Sequence, residues 1–103
     1  MKIKSIDEYE IVFDNGNKIE FNHIADCCEN NYADFCAIND IAKNYVFLDS
    51  LDFEEVPHGG FRFGNFGMNN MVFVPCYSEQ DGYYSSDVDI YYNDKHVLNV
   101  DCF

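Results

Sequence analysis

Residues 7–21, DEYEIVFDNGNKIEF, constrain the fold more than any other stretch of the chain. Tyr9, Ile11 and Phe13 alternate with polar partners, Asn15-Gly16 interrupts them, and Ile19 and Phe21 resume the alternation. An Asn-Gly pair between two runs of period two supplies the positive-φ residues that a tight antiparallel turn needs, so these residues predict a β-hairpin. The same period carries His23 onto the face of Ile19 and Phe21, at the end of the second strand.

The rest of the chain continues in this manner. NNYADFCA (30–37) reads as a short strand with Tyr32, Asp34 and Cys36 on one side, and INDIAKN (38–44) as one helical turn capped by Asn39 or Asp40. YVFLDSLDFEEV (45–56) has the β-branched and aromatic content of an extended segment. After Pro57, HGGFRFGNFG (58–67) predicts a mobile glycine-rich loop whose Phe61, Phe63 and Phe66 either tuck into the core or form an exposed contact patch. MVFVPCYS (71–78) is a strand that Pro75 assigns to an edge or a bulge. In GYYSSDVDIYY (82–92) Tyr84, Val88, Ile90 and Tyr92 point inward; Asn93-Asp94 turns, and KHVLNVDCF (95–103) closes with Leu98, Val100 and Cys102 on one face. The expectation is a single domain over 1–103 with five to seven strands: an α+β fold, mostly antiparallel β-sheet with one short helix.

Core material is sufficient for one domain, with 48% hydrophobic residues and ten Phe and eight Tyr standing in for absent Trp. The charge balance bears on partners. Nineteen acids against six Lys and Arg give a net charge of -13, which repels phosphate backbones and anionic lipid and attracts basic protein surfaces. Thirteen of those acids precede Pro57, and Asp52, Glu54 and Glu55 form the densest run, a solvated face or a docking surface for a partner's Lys and Arg. MKIKSIDEYE lacks the apolar run of a signal peptide, and no stretch has the roughly 18 apolar residues of a membrane span, so a cytoplasmic protein is expected. Five cysteines in such a context favour thiolate or metal chemistry over a disulfide framework.

The segment HIADCCEN (23–30) concentrates that chemistry. His23, Asp26, Cys27, Cys28 and Glu29 combine imidazole, thiolate and carboxylate, the ligand types that Zn²⁺ takes at about 2.0–2.3 Å. The spacing matches no familiar zinc finger, and the plain alternative is one core cysteine beside a hydrogen-bonded histidine. A Cys-His nucleophile would also need an oxyanion hole, and nothing in the sequence supplies one. The glycine-rich loop has neither G-x-G-x-x-G nor a Walker lysine.

HIADCCENNYADF and DGYYSSDVD together resemble a family of small phage and prophage proteins, a domain of unknown function with an H-x-x-D-C-C-E motif after a first hairpin and a G-Y-Y-S motif before a late strand. The resemblance runs in order over about residues 6–90 and departs from the family at INDIAKNYVF, where a glycine-bounded short helix is expected. It implies a phage accessory protein, of a kind that includes anti-CRISPR inhibitors of RNA-guided nucleases, and it marks His23, Asp26, Cys27 and Cys28, with Glu29, as a ligand set for a structural zinc ion. Joined to the charge, it leads to the expectation of a stoichiometric inhibitor, not an enzyme, that acts in the host cell cytoplasm. Its acidic surface, with Asp52, Glu54 and Glu55, would dock on a type II CRISPR effector nuclease and block its use of target DNA. A phage assembly or adaptor protein and a thiol-dependent enzyme built on His23 are the alternatives.

Overall fold

The computed structural model describes residues 1–22, 29–38, 40–57, 59–80 and 87–102, with 29–30 and 79–80 described by their backbone alone. Among the described residues, nine strands form two antiparallel sheets. The first contains β1 (Ile3–Ile6), β2 (Glu10–Phe13), β3 (Lys18–Asn22), β8 (Asp87–Tyr92) and β9 (Lys95–Asp101), in the order β1-β2-β3-β8-β9. The second contains β4 (Glu29–Ala33), β5 (Asp52–Val56), β6 (Gly60–Gly64) and β7 (Val72–Gln80), in the order β4-β7-β6-β5.

The expected hairpin forms β2 and β3 with Ile11 opposite Ile19. Its turn is held by the Asn15 side chain, which accepts from Asn17 N–H at 3.1 Å, and by Gly16 at φ +90°. Asn93 and Asp94 at φ +51° and +67° make the second tight turn, whose doubly positive φ matches the strand twist. A bulge lies beside it: Tyr91 faces His96 while Ile90 faces Leu98, which leaves Val97 as the extra residue of β9.

Alternation sends one row of each sheet inward. Ile11, Phe13, Ile19, Val88, Ile90 and Val100 from the first sheet meet Ala33, Phe61, Phe63, Val74 and Cys76 from the second in one core. Phe13, Phe47 and Phe63 tie the layers together, with centroids 5.6, 5.7 and 6.3 Å apart in near-perpendicular or tilted contacts.

The α+β expectation is overturned: the fold is all-β, and the described residues contain only two short 3-10 segments, Phe35–Ala37 and Asp40–Asn44, and no α-helix. INDIAKN is too short to repay helix nucleation. It also offers little to bury: Ile41 is exposed, and of INDIAKN only Ile38 and Ala42 are buried among the described residues. Phe47, close behind, must lie extended beside Met1, with which it exchanges two backbone bonds of 2.7 Å.

Three local readings also change. The stretch read as a mobile loop contains β6, a strand paired on both sides, in which Phe61 and Phe63 are fully buried. Phe66 beyond it is exposed. Glycine serves close approach here, since a Cβ on Gly60 would stand 2.0 Å from the Val74 carbonyl oxygen. Pro75 lies within an inner strand, at the point where β7 leaves β6 and begins to pair with β4. Its carbonyl still accepts from Asp34 N–H, and Gly59 takes the Cys76 N–H, so the missing donor costs no ladder bond. Of YVFLDSLDFEEV only Asp52–Val56 is strand. Residues 46–50 are instead held by two buried asparagines: Asn65 binds Leu48 N–H and the Ser50 carbonyl, and Asn70 binds the Val46 carbonyl.

Candidate acidic interface

Direct antiparallel partners point to the same side of a sheet, so register alone defines the outer face of the first sheet. Glu10 stands opposite Glu20, Glu20 opposite Tyr91, Asn22 opposite Asp89, Asp89 opposite Asn99, and Asp87 opposite Asp101. Glu10, Glu20, Asp87, Asp89 and Asp101 therefore share one face, gathered from four strands. Two pairs, Glu10/Glu20 and Asp87/Asp101, are carboxylates placed directly across from each other, an arrangement that costs stability. Lys18 reaches Glu20 at 3.1 Å, and His96 Nε2 reaches Asp89 at 2.9 Å.

The face is ordered by side-chain bonds. Asn99 donates from Nδ2 to Asp87 at 2.7 Å and to Asp89 at 2.9 Å. The Asn99 bond holds the Asp89 carboxyl below its ordinary range; burial opposes it, and the hydrogen bond and charge of His96 add to the lowering. The bond to Glu20, with the charges of Glu20 and Asp94, holds the Lys18 ammonium above its ordinary range.

The β5 carboxylates do not form one face. Asp52 and Glu54 share a side of the strand and Glu55 takes the other. Asp52 accepts from Phe66 N–H at 2.8 Å, and Glu54 pairs with Arg62 across the ladder at 2.5 Å, which leaves Glu55 as the exposed member. The sequence marked this run for its density and missed the larger face, whose members lie far apart along the chain.

His23, Asp26, Cys27 and Cys28 lie outside the described residues, as does GYYS at 82–85; Glu29 begins β4 with its backbone opposite Gln80. The chemistry of the donor set, one imidazole, one carboxylate and two thiols, fits zinc. Among the described residues no group of three or more His, Cys, Asp and Glu is placed to hold a metal ion. The other thiols divide: Cys36 is exposed, while Cys76 of β7 and Cys102, just after β9, are buried free thiols joined by a hydrogen bond. That bond, with burial, keeps the Cys76 thiol protonated well above its ordinary range.

A second exposed surface is apolar. Val46, Leu48, Phe66 and Met68 are each about half exposed and sit on the segments that Asn65 and Asn70 join. No described helix is long and apolar enough to cross a membrane. No family model matches the chain, and no curated protein and no solved structure is significantly similar to it.

Proposed function

We propose that the protein is a stoichiometric binding protein that docks its acidic first-sheet face on the basic surface of a nucleic-acid-handling partner. The observation that carries this reading is the directly opposed Glu10/Glu20 pair, which the single positive charge of Lys18 only partly neutralises through Glu20, within a face of five carboxylates. Solubility would be served equally by carboxylates scattered over the surface, whereas opposed like charges lower stability and are relieved when a cationic surface covers them. RNA-guided nucleases hold nucleic acid in positively charged channels. With the resemblance of 23–35 and 81–89 to small phage proteins, a type II CRISPR effector nuclease in the host cytoplasm is the proposed partner, its use of target DNA the step blocked, and a structural zinc ion at His23, Asp26, Cys27 and Cys28 the proposed staple.

The test is Glu10→Lys, which places an ammonium opposite Glu20. The variant should fold with stability equal to the parent or higher by roughly 0.2–1 kcal/mol. It should associate more slowly with the guide-loaded nuclease in surface plasmon resonance at low salt, with a shallower salt dependence, because long-range steering acts on encounter. Asp52→Lys/Glu54→Lys/Glu55→Lys is the comparison and should matter less. Unchanged association by Glu10→Lys at every salt concentration would overturn the assignment of the face. The apolar surface at Val46, Leu48, Phe66 and Met68 favours a second reading, a phage assembly adaptor, which failure to bind any such nuclease at low salt would promote.

A further inference from the structure

A cavity of about 750 Å³ opens beside the first hairpin, where the β1–β2 turn, the end of β3 and the β4 exit converge. Its lining residues include the aromatic Tyr9, Phe21 and Tyr32, the acidic Glu8 and Asp34, and Cys36. The turn is fixed: Asp7 Oδ1 accepts from the N–H groups of both Tyr9 and Glu10 at 2.8 and 2.9 Å, so Tyr9 is presented by an ordered backbone although its ring is 68% exposed. Phe21 is seated edge-on against buried Phe35 at 5.7 Å, and Tyr32 packs on Tyr77 at 5.6 Å. Two of the three rings are thereby braced from behind.

Aromatic faces together with carboxylates, and no Lys or Arg among the described lining residues, suit a cation. A planar guanidinium suits the site better than an ammonium, because it stacks on a ring and bonds a carboxylate through the same plane. The volume lies in the range of about 300–1,000 Å³ typical of ligand sites and exceeds one side chain, so the occupant is an arginine together with its flanking backbone. We infer that this cavity receives an arginine side chain of the basic partner, its guanidinium held between Tyr9 and Tyr32 and neutralised by Glu8 and Asp34. The inference rests on the docking reading above and adds to it the residue type that is recognised.

The exposed Cys36 thiol reports occupancy. The full-length protein is treated with iodoacetamide in the presence of acetyl-Gly-Arg-Gly-amide, or of the same tripeptide with neutral citrulline, and the alkylation rate is read at Cys36 by peptide-resolved mass spectrometry. The arginine tripeptide should slow alkylation and the citrulline tripeptide should not. Tyr9→Ala should weaken that protection by roughly threefold to tenfold, the factor of a lost cation–π contact, and Tyr9→Phe should restore it. Equal protection by both tripeptides, or none by either, overturns the inference. Protection without nuclease binding leaves the cavity's assignment standing and removes the docking reading. Nuclease binding that Tyr9→Ala leaves unchanged removes the cavity's role alone.

Discussion

Replacing Gly60 by alanine should be among the most damaging single-methyl changes in this protein, and the structure gives the reason and the size. Gly60 sits at φ +154°, a conformation that side-chain-bearing residues rarely adopt, and an added Cβ would meet the Val74 carbonyl oxygen at 2.0 Å and Pro75 Cα at 2.9 Å. Both neighbours are backbone of β7, so no rotamer change relieves the contact. The strained backbone costs about 1–3 kcal/mol, and pushing β7 away breaks the bond from Cys76 N–H to Gly59, leaving a buried donor unpaired at a further cost of about 1–3 kcal/mol. The sum, roughly 2–6 kcal/mol, is a large share of the about 5–15 kcal/mol that holds a domain of this size. Gly16→Ala is the control: its φ of +90° brings backbone strain of the same kind, but nothing lies within 4 Å of the new methyl, and the cost should stay within that strain alone, about 1–3 kcal/mol. Urea unfolding followed by far-UV circular dichroism measures both. If Gly60→Ala loses no more stability than Gly16→Ala, close approach is not what the glycine provides and the account of β6 is refuted.

Phe47→Ala should cost about 3–5 kcal/mol despite lying outside every strand, because Phe47 is 1% exposed and contacts Phe13 and Phe63 of both sheets; a loss under about 1 kcal/mol by the same unfolding assay would contradict that placement. Protein purified without chelator should carry about one zinc ion per chain, and His23→Ala should lose it and melt at lower temperature, since a metal bound by the folded state alone adds its binding free energy to folding; elemental analysis that finds no zinc above background refutes the site. Asp89 titrates in the folded protein below its unfolded value of about 3.9, so its contribution is present above that pH and is lost as pH falls through the folded value. Asn99→Ala removes the largest cause, and the Asp89 carboxyl resonance in an NMR titration should move its midpoint toward the ordinary value; an unmoved midpoint would assign the shift to His96 instead.

The parts of this fold legible in the sequence are those whose chemistry is local. Asn15-Gly16 and Asn93-Asp94 define their hairpins because the turn's φ values depend on the turn residues themselves, and the strands they join follow from period two. β6 was not legible, because glycine reads as loop unless the approaching backbone is known, and the atoms that demand Gly60 belong to β7. Pro75 misled for a related reason: a missing N–H excludes an inner strand only if a partner needs it there, and at residue 75 the pairing passes from one neighbour to the other. Residues 46–50 look like strand by composition, yet the amides of Asn65 and Asn70 take the place of a ladder.

The candidate interface shows the same division with larger consequences for function. Asp52, Glu54 and Glu55 are neighbours in sequence, but period two separates Glu55 from the others, and cross-strand partners occupy Asp52 and Glu54. Glu10, Glu20, Asp87, Asp89 and Asp101 are distant in sequence, and the pairing of β3 with β8 assembles them. That pairing joins the first hairpin to the last, so the charged face exists only in the folded chain. The same register that opposes Glu10 to Glu20 therefore links stability to occupancy: covering the face with cations lifts the repulsion in the folded state, which the unfolded chain does not share, and a bound basic partner should raise the unfolding temperature by more than its contact with any single carboxylate would account for.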